Sequence, residues 1–245
     1  MKKKGTLYAI GVGPGDPELI TLKAKRILET VKSVFSATSN PKKESLALKI
    51  VSPHLNHHSK ILPLVFPMTR DEKSLECAWQ AAAKKVLSVL DAGEDAAFVT
   101  LGDPCTYSTF TYLHRTVTEI EPEIEIEIVP GITSFQAAAA RLKIPLTEAE
   151  ESLVVVSGAK GGMEISRAAK KFDNLVIMKA YRHYDEIVRC LDELGLLDNT
   201  VAVRRVGLSG ESITSKVADW NGNEPSYFTL LITKKGETKK KLQNH

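Results

Sequence analysis

The sequence predicts an α/β fold of two domains, the first built on a mostly parallel sheet. Short apolar runs alternate with helical patterns through residues 6–130, glycine- or proline-bearing breaks follow three of those runs, and the rhythm changes near residue 145. Alternation of this kind implies strand–helix–strand units. The 245 residues, 43% hydrophobic, suffice for one large or two smaller cores.

The elements follow in order. Residues 6–10 form an apolar strand run, and Leu19, Leu22, Ala24, Ile27 and Leu28 recur at helical spacing after a glycine-rich break. A short apolar run at 34–36, a helix near 45–51 and a strand around 61–66 come next. Leu75, Ala78, Trp79, Ala82, Val86 and Leu90 lie on or near one face of a long amphipathic helix over 71–90. Residues 96–100 read as a compact buried strand, 106–117 as a helix, and Ile124, Ile126 and Ile128 as an alternating strand. Beyond residue 145, strands are expected at 153–156, 175–178, 201–206 and 227–232, with helices near 184–194 and 211–218. The domains are therefore placed at 1–146 and 147–245, joined by a short segment that sets them close enough to form a cleft.

The first break, Gly11-Val12-Gly13-Pro14-Gly15-Asp16, has the setting of a nucleotide loop but departs from its chemistry. A dinucleotide fingerprint needs glycine at the third spaced position and leaves helix N-terminal amides for pyrophosphate. Asp16 stands there instead, a natural N-cap, with Pro17 suited to the first helical turn and Glu18 a second carboxylate at the positive end of the helix. The loop reads as binding something with little or no phosphate, or as a structural turn. Two further breaks, Leu101-Gly102-Asp103-Pro104 and Pro130-Gly131-Ile132-Thr133-Ser134, fall at the same edge of the predicted sheet, where open parallel sheets bind ligands. Asp103 is the one carboxylate of those two breaks; it suits a ligand's ammonium group and equally an Asx-turn.

The formal charge of +3 lies partly in two lysine-rich ends, Lys2 to Lys4 and Lys239 to Lys241, which read as solvated tails. The body is near neutral and shows no nucleic-acid footprint. No apolar run reaches membrane-spanning length and no secretory segment is visible, so a cytoplasmic location is expected. Cys77, Cys105 and Cys190 are few and scattered, as for reduced thiols, and the spacing of His54, His57 and His58 is not that of a metal site. No metal is expected.

Three motifs, GVGPGDPELITLKA from Gly11, LGDPCTYST from Leu101 and VPGITSFQAAAARLKIPLTE from Val129, resemble the tetrapyrrole methylases, the class III S-adenosylmethionine-dependent methyltransferases. PMTRDEKSLECAW from Pro67 resembles the branch that methylates carbon 20 of precorrin-2 or cobalt-factor II on the route to cobalamin. The resemblance implies two α/β domains with S-adenosylmethionine in the cleft between them, a tetrapyrrole substrate and a homodimer. It places the cofactor contacts at Pro14, Leu101, Gly102, Asp103, Thr106, Thr133, Ser134, Met178 and Val206. A phosphate-free cofactor agrees with the first loop.

The substrate's acetate and propionate groups call for cations, and Arg70, Arg182 and Arg205 are the candidates, with Tyr107 and Tyr227 as aromatic walls. Solvated arginine and core tyrosine are the plainer readings of each. Methyl transfer from a sulfonium needs no enzyme nucleophile, so Cys105 is read as a packing residue and no catalytic residue is assigned. An uroporphyrinogen methylase, a ribosomal RNA methylase and a non-catalytic nucleotide module are the competing readings; the absence of a basic stripe weighs against RNA.

Overall fold

The computed structural model describes residues 3–40, 45–220 and 227–236. The expected tail residues Lys2 and Lys239 to Lys241 lie outside them. The chain divides between Thr133 and Ser134 into two compact units, whereas the sequence reading placed the boundary after residue 146.

The first unit is a five-stranded, all-parallel sheet of β1 (Leu7–Gly11), β2 (Ser33–Thr38), β3 (Lys60–Val65), β4 (Ala96–Thr100) and β5 (Ile126–Val129), in the order β3-β2-β4-β1-β5. Its helices are α1 (Leu22–Leu28), α2 (Leu46–Val51), α3 (Glu72–Asp91) and α4 (Phe110–Ile120). Strand side chains point alternately to the two faces, so each central strand must be apolar throughout. Ala96 and Phe98 join Leu7, Ala9 and Phe35 under α3 and α4. Ala97 and Val99 join Ile10 and Val34 under α1 and α2. A stacked pair, Trp79 and Tyr112, with ring centroids 4.7 Å apart, adds to the α3–α4 contact. β1 leads away to β2, whereas its neighbour β4 leads to β5 in the opposite direction across the sheet. Their C-terminal loops consequently meet at the point where the connections diverge.

The second unit opens with α5 (Ser134–Leu142) and holds β6 (Leu153–Ser157), α6 (Gly162–Lys171), β7 (Asn174–Met178), α7 (Tyr184–Glu193), β8 (Thr200–Arg204), β9 (Ser212–Thr214) and β10 (Thr229–Lys234). The sheet order is β6-β7-β10-β8-β9, with β6 and β7 parallel and β10 antiparallel to both neighbours. α5 covers one face with Val176, Val203 and Ile232, and α6 and α7 cover the other with Leu175, Ile177 and Leu231. Lys234, whose side chain is only 5% exposed, pairs with Glu148 and Glu151 at 3.3 Å each and donates to the Pro145 carbonyl at 3.0 Å. That buried ammonium fastens the segment leading from α5 to β6.

Several elements differ from expectation. Asp16 caps a single 3-10 turn at Pro17–Leu19, and the first α-helix starts later under its own cap, Thr21, whose hydroxyl accepts from the Ala24 amide at 3.2 Å. The helix expected over 106–117 begins at Phe110, because the residues before it are engaged in turn hydrogen bonds. The helix expected near 211–218 is instead β9 followed by a 3-10 turn, consistent with the β-branched Ile213 and Thr214. Helices α5 and α6 were not expected. Lys4 is no solvated tail residue: its ammonium pairs with Asp91 at 3.1 Å and with Glu121.

Candidate functional site

In the first unit the three loops are welded by backbone. Gly13 donates to the Gly102 carbonyl at 3.2 Å and Gly102 donates to the Gly13 carbonyl at 2.8 Å, a two-residue antiparallel bridge between the loops after β1 and β4. Gly131, in the loop after β5, lies against both: a methyl group there would collide with the Gly102 carbonyl oxygen and come within 2.7 Å of the Gly11 carbonyl carbon. Only hydrogen fits. Gly102 is different, since a methyl on it would meet nothing nearer than the Ile132 carbonyl oxygen at 4.0 Å, although its φ of +70° is one that favours glycine. Open space therefore stands before Gly102.

Asp103 braces this junction. One carboxylate oxygen accepts from the Cys105 amide at 2.8 Å and the Thr106 hydroxyl at 3.3 Å, and the other accepts from the Gly131 amide at 3.1 Å. The Asx-turn reading is thereby realised, with a cross-loop bond added that spacing did not foretell. Ser108, bonded to the Thr100 hydroxyl at 2.9 Å and accepting from the Phe110 amide at 3.1 Å, closes the same loop onto β4. Between them Tyr107 takes a φ of +52° and stands 47% exposed. A non-glycine residue is held there only by its surroundings.

Three amides of the first loop are already engaged within the protein. The Gly13 amide is taken by Gly102, the Glu18 amide by the Asp16 carboxylate at 2.9 Å, and the Leu19 amide by the Asp16 carbonyl at 3.0 Å. Pro14 is buried beside them. His54 contacts the Pro17 carbonyl through Nε2 at 3.1 Å, so it belongs to this loop and not to a metal cluster. Among the described residues no group of three or more potential metal ligands occurs. Leu101, Gly102, Asp103, Thr106 and Thr133 are all partly buried, and Arg70 is exposed ahead of α3.

In the second unit the structure brings Ser134, Met178 and Val206 onto neighbouring elements. The Ser134 hydroxyl, at the first residue of α5, lies 3.9 Å from the Met178 sulfur at the end of β7, and Val206, 7% exposed, packs in the same apolar cluster as Met178. The residues following β7 and β8, Lys179 and Arg205, both have left-handed backbone, with φ of +56° and +52°. Arg205 directs its Nε to the Ser209 carbonyl at 2.7 Å. The Arg182 guanidinium sits 5.4 Å above the Tyr181 ring and lines a hollow of about 280 Å³ with Asp185 and Glu186, whose carboxylates oppose an anionic guest. Tyr227 packs on Tyr181 with centroids 5.4 Å apart and is 54% exposed.

Sequence reasoning missed the turn between β6 and α6. It is a further glycine-bearing strand–turn–helix joint, and its Gly162 amide donates to the Glu186 carboxylate at 2.9 Å. The signal was available in the SGAKGG run that begins at Ser157. It also missed Glu211, which accepts from Arg141 Nε at 2.9 Å and from the Gly207 amide at 2.6 Å.

Comparison with known proteins bears on the whole chain. Residues 6–219 match the family of tetrapyrrole (corrin/porphyrin) methylases. A relative from Salmonella typhimurium named cobalt-precorrin-2 C(20)-methyltransferase is 36% identical over 95% of this chain and 98% of its own length. One from Methanocaldococcus jannaschii, named probable cobalt-precorrin-2 C(20)-methyltransferase, is 39% identical over 94% and 96%. The crystal structure of uroporphyrin-III C-methyl transferase from Thermus thermophilus, complexed with S-adenosylhomocysteine, shares the fold with a TM-score of 0.64 at 22% identity, covering 93% of this chain and 96% of that one.

Proposed function

The chain belongs to the tetrapyrrole methylases, and from that premise we propose that it transfers a methyl group from S-adenosylmethionine to the meso carbon 20 of cobalt-factor II or precorrin-2 in cobalamin biosynthesis. The observation that carries this reading is near-full-length similarity to relatives named for carbon-20 methylation, and both relatives are named for the cobalt-bearing substrate, which favours that form.

The residues suit the cofactor. A sulfonium nucleoside carries no phosphate, and the first loop keeps its Gly13, Glu18 and Leu19 amides for itself. A methyl group added at Gly102 would meet nothing nearer than the Ile132 carbonyl oxygen at 4.0 Å, so its backbone is open at that point. Pro14, the Leu101–Asp103 backbone, Thr106 and Thr133 are proposed as cofactor contacts from the first unit and Ser134, Met178 and Val206 from the second, the hydroxyls suiting ribose and amino-acid groups and Met178 and Val206 suiting apolar ones.

S-adenosylmethionine supplies an already activated methyl group. The chain's task is alignment, which is worth about 7 to 11 kcal/mol when reactants are held in line. The braced loop junction suits it, because a wall that does not yield keeps donor and acceptor at one distance. Arg70 and Arg205 are proposed for the substrate's carboxylates and Tyr107 for its face, whereas Arg182, beside Asp185 and Glu186, suits an anion less well. Of the three cations, Arg205 has its orientation set by its own turn.

The reading includes a cytoplasmic homodimer that binds neither nucleic acid nor membrane; no helix among the described residues is long and apolar enough to cross one. Labelled S-adenosylmethionine, offered with cobalt-factor II, precorrin-2, uroporphyrinogen or ribosomal RNA, tests the assignment. Label is expected in the first two. Label entering uroporphyrinogen or RNA in preference would overturn it.

A further inference from the structure

β8 ends at Arg204, and the turn that follows is built around an unfavourable residue. Arg205 has φ +52°, a conformation that arginine keeps only where its surroundings hold it. Its amide donates to the Phe228 carbonyl at 3.0 Å, its Nε to the Ser209 carbonyl at 2.7 Å, and its own carbonyl accepts from the Leu208 amide at 2.9 Å. Glu211 closes the turn. One of its carboxylate oxygens accepts from the Gly207 amide at 2.6 Å, and the other accepts from Nε of Arg141 on α5 at 2.9 Å. The Glu211 side chain is 20% exposed, against 62% for Arg141.

A single carboxylate thus ties the turn carrying Val206 to the helix that begins at Ser134. Val206 packs in one apolar cluster with Ala138, Ala139 and Leu142 of α5, and the Ser134 hydroxyl touches the Met178 sulfur. Every residue proposed to touch the cofactor from this unit lies on elements that meet in that cluster.

We propose that Glu211 is a positioning residue for the S-adenosylmethionine site, acting through the Gly207 amide to hold the turn that carries Val206 and Arg205. The inference rests on the methyl-transfer reading. Its two bonds have separable roles: the Gly207 amide needs any acceptor, whereas Arg141 needs a negative charge.

Calorimetric titration of the full chain with S-adenosylhomocysteine, with melting temperature and the KM and kcat for S-adenosylmethionine, separates these roles. Glu211→Leu leaves the Gly207 amide without its acceptor and is expected to raise Kd about tenfold or more, chiefly as KM. Glu211→Gln keeps an acceptor, and Arg141→Met keeps the Glu211–Gly207 bond; each is expected to bind within about threefold of the unaltered protein. The charge-swapped pair Arg141→Glu with Glu211→Arg restores the ion pair but offers Gly207 nothing, so it is expected to melt above the Glu211→Arg single variant while keeping the affinity defect. The swap decides alone if Glu211→Leu does not fold. Unchanged affinity in Glu211→Leu, or affinity restored by the swap, overturns the proposal. If the unaltered protein itself fails to bind S-adenosylhomocysteine, the methyl-transfer reading falls, and this inference with it.

Discussion

Gly13 and Gly102 exchange both of their backbone hydrogen bonds, at 3.2 and 2.8 Å, although they lie on loops that follow different strands. The junction they make is completed by Gly131, and the two glycines Gly131 and Gly102 should respond differently to substitution. Gly131→Ala forces a methyl into the Gly102 carbonyl and should unfold or grossly destabilise the first unit. Gly102→Ala enters open space and meets only the strain of a left-handed backbone, about 1 to 2 kcal/mol. Denaturant unfolding of both variants measures this. Equal losses would mean that the close approach is not what holds the loops.

Asp103 acts on structure and, by the proposal above, on the cofactor. Asp103→Ala removes the acceptor for Cys105, Thr106 and Gly131 together. Stability should fall by about 1 to 3 kcal/mol, with S-adenosylhomocysteine binding weakened as well. Asp103→Asn, which retains one acceptor oxygen, should lie between. A variant with normal melting and weakened binding would show that the brace contributes little to the fold.

Cys105 is exposed and offers its amide, not its thiol, to the loop. Cys105→Ser should keep most of the methyl-transfer rate. By the proposed contact of Thr133 with the cofactor, Thr133→Trp should abolish it, since an ångström of misplacement can cost about a hundredfold. A covalent methyl-cysteine found by mass spectrometry in the unaltered protein would refute direct transfer.

Acid should loosen the second unit through Glu151. The Asn174 side chain, the Glu148 amide and the Lys234 ammonium hold its carboxyl below the ordinary glutamate value. A group depressed in the folded state contributes stability that is full above its unfolded value and is lost as pH falls through the folded one. Melting temperature should therefore drop on the acid side of the ordinary glutamate range, and Glu151→Gln should flatten that limb. An unchanged limb in Glu151→Gln would assign the acid loss to other carboxyls.

Much of the first unit was legible because its strands are buried on both faces and therefore read as unbroken apolar runs, as Ala96 to Val99 do. α5 hid because alanine, four times in succession from Ala137, marks neither face of a helix. α6 hid behind Gly161 and Gly162, with only Ile165, Ala168 and Ala169 buried to show its period. The three candidate loops were legible but their junction was not, since composition cannot tell which glycines face one another: Gly131 meets Gly11 across most of the unit's length. Glu211 was invisible for the same reason, its partner Arg141 lying 70 residues away.

The Glu186 carboxylate on the Gly162 amide has a consequence for the cell. Together with Asp16 on the Glu18 amide, it places the protein's own carboxylates on two of the glycine-bearing strand–turn–helix joints. Joints of this type elsewhere seize ATP and NAD, which are abundant metabolites. An enzyme so stoppered is expected to be indifferent to ATP and NAD at these two joints. Millimolar ATP should leave its rate untouched; a rate that falls as ATP is added would reveal one of the two stoppers to be loose.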